Sequence, residues 1–150
     1  MKTRLLAAVV IIFAASVLAA QGSEFSSVGI ERSKQKSVTT SGANGPTFLR
    51  GDVELTLGAA TISADEVEIR QTPPEAVLHG AVKIRSTPPP TVKANTVKRT
   101  AEGASQFRRN VQVSLGTTGV TVFADEADVS VLGEVELRGN VVLKKDVRKR

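Results

Sequence analysis

One histidine, His79, and two acidic pairs, Asp65-Glu66 and Asp125-Glu126, are the groups through which this chain could do acid–base or metal chemistry. Each falls short of a site. A nucleophile needs a base held against it, and His79 is the only imidazole; it occupies a repeat slot that otherwise holds Arg50, Arg109 and Arg138, which reads as an exposed strand position. The acidic pairs suggest a Ca2+ site or paired catalytic carboxylates. Neighbouring residues on a strand point to opposite faces, however, and the pairs recur at one place in the repeat, which reads as a structural corner. The chain has no cysteine, so disulfides, thiolate metal sites and cysteine nucleophiles are excluded. There is no glycine-rich phosphate loop. With five Phe and no Trp or Tyr it has few rings on which bases could stack. The expectation is a chain that is not an enzyme and uses no cofactor or metal. An envelope carbohydrate enzyme would need carboxylates clustered on one face, and none are evident.

The elements that carry these groups repeat. Arg50-Gly51-Asp52-Val53, His79-Gly80-Ala81-Val82, Arg109-Asn110-Val111 and Arg138-Gly139-Asn140-Val141 resemble one another, and their valines stand 29, 29 and 30 residues apart. Between them lies a second signature at the same period: Ala64-Asp65-Glu66-Val67, Ala94-Asn95-Thr96-Val97 and Ala124-Asp125-Glu126-Ala127. Two signatures in one period indicate a repetitive architecture. Apolar residues alternate with period two within each unit, as in Val53, Leu55 and Leu57 or Val111, Val113 and Leu115. That pattern gives a strand with one buried and one wet face. Turn residues at 57–60, 71–74, 86–90, 100–103, 116–119 and 132–134 separate the runs and predict hairpin tips. About seven antiparallel strands follow, two per repeat of ~30 residues. The fold class is all-β.

A change of parity refines this. Ile62 and Ala64 share a phase that Val67 and Ile69 do not, and the same switch follows Ala94 and Ala124. Such a switch turns the inward face outward unless the strand bends or bulges. Alternate strands are therefore predicted to bend at 64–66, 94–96 and 124–126, where Asp or Asn tolerates unusual dihedrals. One meander of bent strands would then line two facing sheets.

The flanks read differently. Residues 1–20 combine Lys2 and Arg4 with an apolar run to Ala20 broken only by Ser16, the pattern of a secretory signal peptide cut near Ala19 or Ala20. This run of sixteen residues, Leu5 to Ala20, is shorter than the ~20 that span a bilayer core. An uncleaved inner-membrane anchor is the alternative. Residues 21–46 read as a flexible linker, with a weak strand at Ser37–Thr40. The net charge is +5; setting aside Lys2 and Arg4 leaves 18 basic against 15 acidic residues. The tail at 146–150 continues a basic run from Lys144 and Lys145, suited to phosphates or to guarding an exposed edge.

The Gly-Asp/Asn-Val and Ala-Asp-Glu signatures resemble the OstA-like domain of lipopolysaccharide-transport periplasmic proteins and their inner-membrane partners. The resemblance covers 47–145. It implies an open antiparallel β-jellyroll that holds lipid acyl chains between two sheets. It further implies lipopolysaccharide or a similar lipid as ligand, and other envelope transport subunits, or further copies stacked head to tail, as partners through edge strands. No nucleic-acid partner is implied. The inward-facing candidates are Val53, Leu55, Val82, Ile84, Phe107, Val111, Val113, Val122, Val129, Leu137, Val141 and Leu143. Fully packed they are a core; splayed at a seam they are an acyl-chain groove, in which each buried methylene contributes ~0.8 kcal/mol. A polymerising β-repeat scaffold without lipid is the competing reading.

Overall fold

The computed structural model describes residues 10–12, 17–19, 28–41, 45–71 and 73–145. The expected tail at 146–150, most of the expected signal segment and the start of the expected linker lie outside the described residues.

The described residues form fourteen strands joined edge to edge in antiparallel order. They are β1 (Val10–Ile12), β2 (Val17–Ala19), β3 (Arg32–Lys34), β4 (Ser37–Thr40), β5 (Thr47–Leu57), β6 (Ala60–Gln71), β7 (Pro74–His79), β8 (Val82–Ser86), β9 (Thr91–Lys93), β10 (Thr96–Arg99), β11 (Ser105–Ser114), β12 (Val120–Val129), β13 (Val135–Arg138) and β14 (Val141–Lys145). A single 3-10 turn, Gly116–Thr118, links β11 to β12. Among the described residues no helix is long and apolar enough to cross a membrane. The fold is all-β, as the alternation predicts.

Every strand between 47 and 145 meets the same corner. β5, β6, β11 and β12 run through it unbroken, whereas β7–β8, β9–β10 and β13–β14 are interrupted there. On one side of the corner the order is β4, β5, β6, β7, β14, β12, β11, β9. On the other it is β3, β5, β6, β8, β13, β12, β11, β10. The apolar faces of both halves converge on one core. The halves also meet at their free ends. A Cβ at Gly58 in the β5–β6 turn would stand 3.0 Å from Thr118 in the β11–β12 turn, and one at Gly29 would meet both Val120 and Leu57. Buried Val28 and Ile30 close that seam.

Three expectations change. The corner does not arise from unusual dihedrals in the Ala-Asp strands. Those dihedrals belong to the partner signature: Gly51 and Asp52 (φ 90° and 48°), Gly80 (91°), Arg109 and Asn110 (70° and 53°), Gly139 and Asn140 (80° and 49°). On β5 and β11 this is a two-against-one bulge, because registers jump from Arg50↔Glu66 to Val53↔Ala64 and from Arg108↔Glu126 to Val111↔Ala124. All the strands turn, not alternate ones. Second, 86–90 is not a hairpin tip. β8 pairs with β6 and β13, and β9 pairs with β11, so this proline-rich segment crosses to a distant slot. β13–β14 fills the gap between β8–β7 and β12, and the order is not a plain meander. The C-terminal strand is interior, and β9 and β10 form an edge. Third, the expected linker 21–46 contains β3 as well as the anticipated β4. Lys36 N–H donates to the Arg50 carbonyl (2.9 Å), just as Asn95 N–H donates to Arg109 and Asp125 N–H to Gly139. The stretch 32–40 is thus another unit of the repeat, its apolar signature replaced by Gln35-Lys36.

Candidate functional site

Cross-strand pairing assembles the interior in rows, since residues directly opposite one another share a face. One row runs Val97, Phe107, Ala127, Leu137, Val82. Its neighbour runs Arg99, Ser105, Val129, Val135, Ile84, Ile62, Leu55. Beyond the corner, Val92, Val113, Val122 and Leu143 form a third row, and Val141 continues a fourth with Leu78, Val67 and Leu49. Val111 and Val53 face Ala124 and Ala64.

All twelve inward candidates therefore lie on the interior faces. Ten are buried in the core: Val53, Leu55, Val82, Ile84, Val111, Val113, Val122, Leu137, Val141 and Leu143. Phe107 and Val129 pack against that core while keeping part of their surface. Burial fades along each row toward the β9–β10 edge. Val92 and Ala94 are half-buried, and Val97 is 56% exposed. Val97, which the sequence pattern places only in a corner signature, belongs with Phe107 and Val129. Alternation alone does not reveal that partnership, because it puts β10 inside a meander rather than at an edge.

The polar groups explain the corner. Asp65 on β6 lies against the β7–β8 break, where Ala81 N–H donates to its Oδ2 (3.4 Å). A Cβ on Gly80 would run into that same carboxylate. Asp125 on β12 accepts from Asn140 Nδ2 (3.0 Å), and a Cβ on Gly139 would stand 2.6 Å from its Oδ2. Gly-Asp/Asn and Ala-Asp are thus two halves of one cross-strand device. The glycine admits both the left-handed φ and the carboxylate. Where the third unit has Arg109 instead of Gly, a non-glycine residue holds φ 70°. The register also moves the histidine slot: His79 and Arg50 both face Glu66, and Arg138 and Arg108 both face Glu126. Arg108, rather than Arg109, is the counterpart of His79.

The acidic pairs are occupied structurally. Glu66 meets Arg50 at 3.4 Å, and Glu126 meets Arg138 at 3.5 Å. Asp128 accepts from Arg138 Nη2 (2.8 Å) and Arg108 Nη1 (3.3 Å). Burial pushes the Asp128 carboxyl up, but these hydrogen bonds and the two positive charges together outweigh it and hold the group below its ordinary value. Arg138 is raised in turn, first by its hydrogen bond to Asp128. On the other flank Arg70 is raised chiefly by its hydrogen bond to Glu68, with Glu75 adding to it. Among the described residues no group of three or more acidic or imidazole side chains is placed to hold a metal ion. His79 is exposed on its strand.

The geometry offers an apolar interior, continuous across two sheets and thinly covered at one edge, where Arg99 ends one of its rows. It fits a binder of apolar chains. No individual curated protein matches the chain. A protein-family model described as "LptA/(LptD N-terminal domain) LPS transport protein" matches residues 32–149, from β3 through β14. That span includes 32–40, the unit that composition alone assigns to the linker. By that match over most of its length, the chain belongs to the LptA/LptD N-terminal domain family of lipopolysaccharide transport.

Proposed function

We propose that the chain is an exported, non-enzymatic carrier that takes lipopolysaccharide acyl chains between its two sheets at the β9–β10 side. The observation that carries this reading is the exposure gradient along the interior rows. The same face that is sealed at Leu137 and Ile84 is half open at Phe107 and Val129 and largely open at Val97. Monomeric proteins seldom leave the end of an inner apolar face uncovered without a use for it. Ten of the twelve candidates are already packed. They form the wall, and Phe107, Val129 and Val97 are the contact residues.

Removal of residues 1–20 on export would also bare an edge. β1 pairs with β4 and β2 with β3, so the shortened chain would present β3–β4 on one side and β9–β10 on the other. These two edges are suited to strand addition by a transport partner or a second copy. The last strand, β14, lies between β7 and β12 and offers no edge of its own.

Photo-crosslinkers at Phe107 and Leu55, introduced one at a time in envelope-expressed protein, test the proposal. Lipopolysaccharide adducts at Phe107, with far fewer at Leu55, are expected. An absence of adducts at Phe107 overturns the carrier reading and favours the lipid-free scaffold, which the packing of the other ten residues would then serve.

A further inference from the structure

Three turns gather at one end of the molecule: 86–90, 100–104 and 130–134. A Cβ on Gly133 would meet Pro89 at 3.3 Å, and one on Gly103 would meet Val131 at 3.9 Å. Arg85 reaches Glu134 at 3.5 Å. The turn from β12 to β13 is shaped by Ser130, whose backbone N–H donates to the Glu134 carbonyl (2.9 Å) and whose carbonyl accepts from Gly133 N–H (2.9 Å). This tight turn lifts two large apolar residues into solvent. Val131 is 66% exposed and Leu132 is 94% exposed.

We propose that this turn is a membrane-contacting tip, which seats the open end of the roll on an anionic lipid surface. Three features select a bilayer as the occupant. Leu132 projects almost free of the body, a shape that sinks into a yielding apolar phase and leaves a rigid protein partner little flat surface to match. Lys98 and Arg99 lie exposed where β10 enters the neighbouring 100–104 turn. Glu102 is the one acid within that turn and Glu134 is engaged by Arg85, so cations flank the tip and complement anionic headgroups. The tip is also continuous with the interior. Val129, the last residue of β12, pairs with Ser105, which in turn pairs with Arg99 at the end of that inner row, so an acyl chain leaving the bilayer beside Leu132 would meet Val129 at the row's half-open end. The inference rests on the carrier reading for its purpose but is tested without it.

Because the protein holds no Trp or Tyr, a single indole reports on its own position even if the N-terminal segment also touches lipid. Leu132→Trp and, separately, Lys83→Trp on the outer face of β8 would be prepared in the full chain. Each would be mixed with phosphatidylethanolamine–phosphatidylglycerol vesicles, with and without brominated acyl chains. The expected result for Leu132→Trp is a blue shift and strong quenching by brominated lipid, weaker with phosphatidylcholine vesicles, while Lys83→Trp keeps its emission in water. Emission from position 132 that vesicles leave unchanged, or equal quenching at both positions, overturns the proposal. If position 132 stays in water while Phe107 still yields lipopolysaccharide adducts, the tip fails and the carrier stands. Quenching at 132 without adducts at Phe107 supports the tip and removes the carrier.

Discussion

β5–β6 and β11–β12 are the same hairpin built twice, with the same corner, bulge and Ala-Asp signature, yet they meet different fates. Around β5–β6 every interior position between Val53 and Ile69 is sealed, because β7 and β8 cover one flank, β3 and β4 the other, and Val28 and Ile30 close the seam. Around the far half of β11–β12 the cover stops at β10, all four of whose residues are exposed. The difference lies in the number of neighbours rather than in the local sequence. An apolar strand face is a core or a surface according to what the topology lays beside it.

The sharpest test of that contrast is a charge placed in an inner row on each side. Ile84→Asp places a carboxylate in a sealed row and is expected to cost more than about 4 kcal/mol, enough to unfold a marginally stable domain. Val97→Asp, in the neighbouring row but at the edge, is expected to change stability by less than about 0.5 kcal/mol. Urea melts followed by far-UV circular dichroism measure both. Equal losses would mean that the β9–β10 side is as closed as the other.

The corners provide the next comparison. Gly139→Ala adds a Cβ 2.6 Å from the Asp125 carboxylate at φ 80°, and should destabilise by about 1–3 kcal/mol. Arg109 occupies the glycine place of the open hairpin at φ 70°. Arg109→Gly is expected to be neutral or to stabilise by up to about 1 kcal/mol, since left-handed strain is relieved while backbone entropy is lost. Opposite signs in the same melts would establish that the third corner is strained; matching losses would refute it.

How much of this was legible follows the same division. The valines at 53, 82, 111 and 141 fixed the phase of four strands, and all twelve candidates do face inward, because alternation is a local property that pairing preserves. The parity switch located the corner but assigned its strained dihedrals to the wrong strand. The device is shared between strands, and only register brings Gly139 against Asp125. The crossing at 86–90 was not readable: a Pro-rich break marks the end of a strand and carries no information about which strand comes next in space. The unit at 32–40 does not show in the sequence because Gln35-Lys36 stands where Ala-Asp stands elsewhere, which hides the period.

That replacement has a cost on the sealed side. Gln35 is buried with neither amide atom hydrogen-bonded, in the place where later units have Ala64 and Ala124. An unpaired buried amide costs about 1–3 kcal/mol. Gln35→Leu is therefore expected to raise stability by about 1 kcal/mol in thermal melts, part of the gain being lost to the extra volume of a branched side chain. A loss instead would mean that the amide has a partner in solution.

The open side has less apolar burial, and an ion-pair lattice lies on its outer face. Arg108 on β11, Asp128 on β12 and Arg138 on β13 join three strands across their outer face. Because the folded state holds Asp128 below its ordinary value, the stability that this carboxylate contributes is present above the unfolded Asp pKa of about 4 and is lost as pH falls through the depressed folded value. The group is partly exposed, so the contribution is under about 1 kcal/mol and shrinks with salt. It should be detected locally rather than in the global melt. Amide protection factors, which correct for the slower intrinsic exchange in acid, are expected to fall along β10 and the first half of β11 below pH 4, with those of β5 and β6 little changed, and Asp128→Asn should lower the same protection factors already at pH 7. Uniform protection across both hairpins in the Asp128→Asn protein would show that the lattice adds nothing, and that the open side is held by its backbone pairing alone.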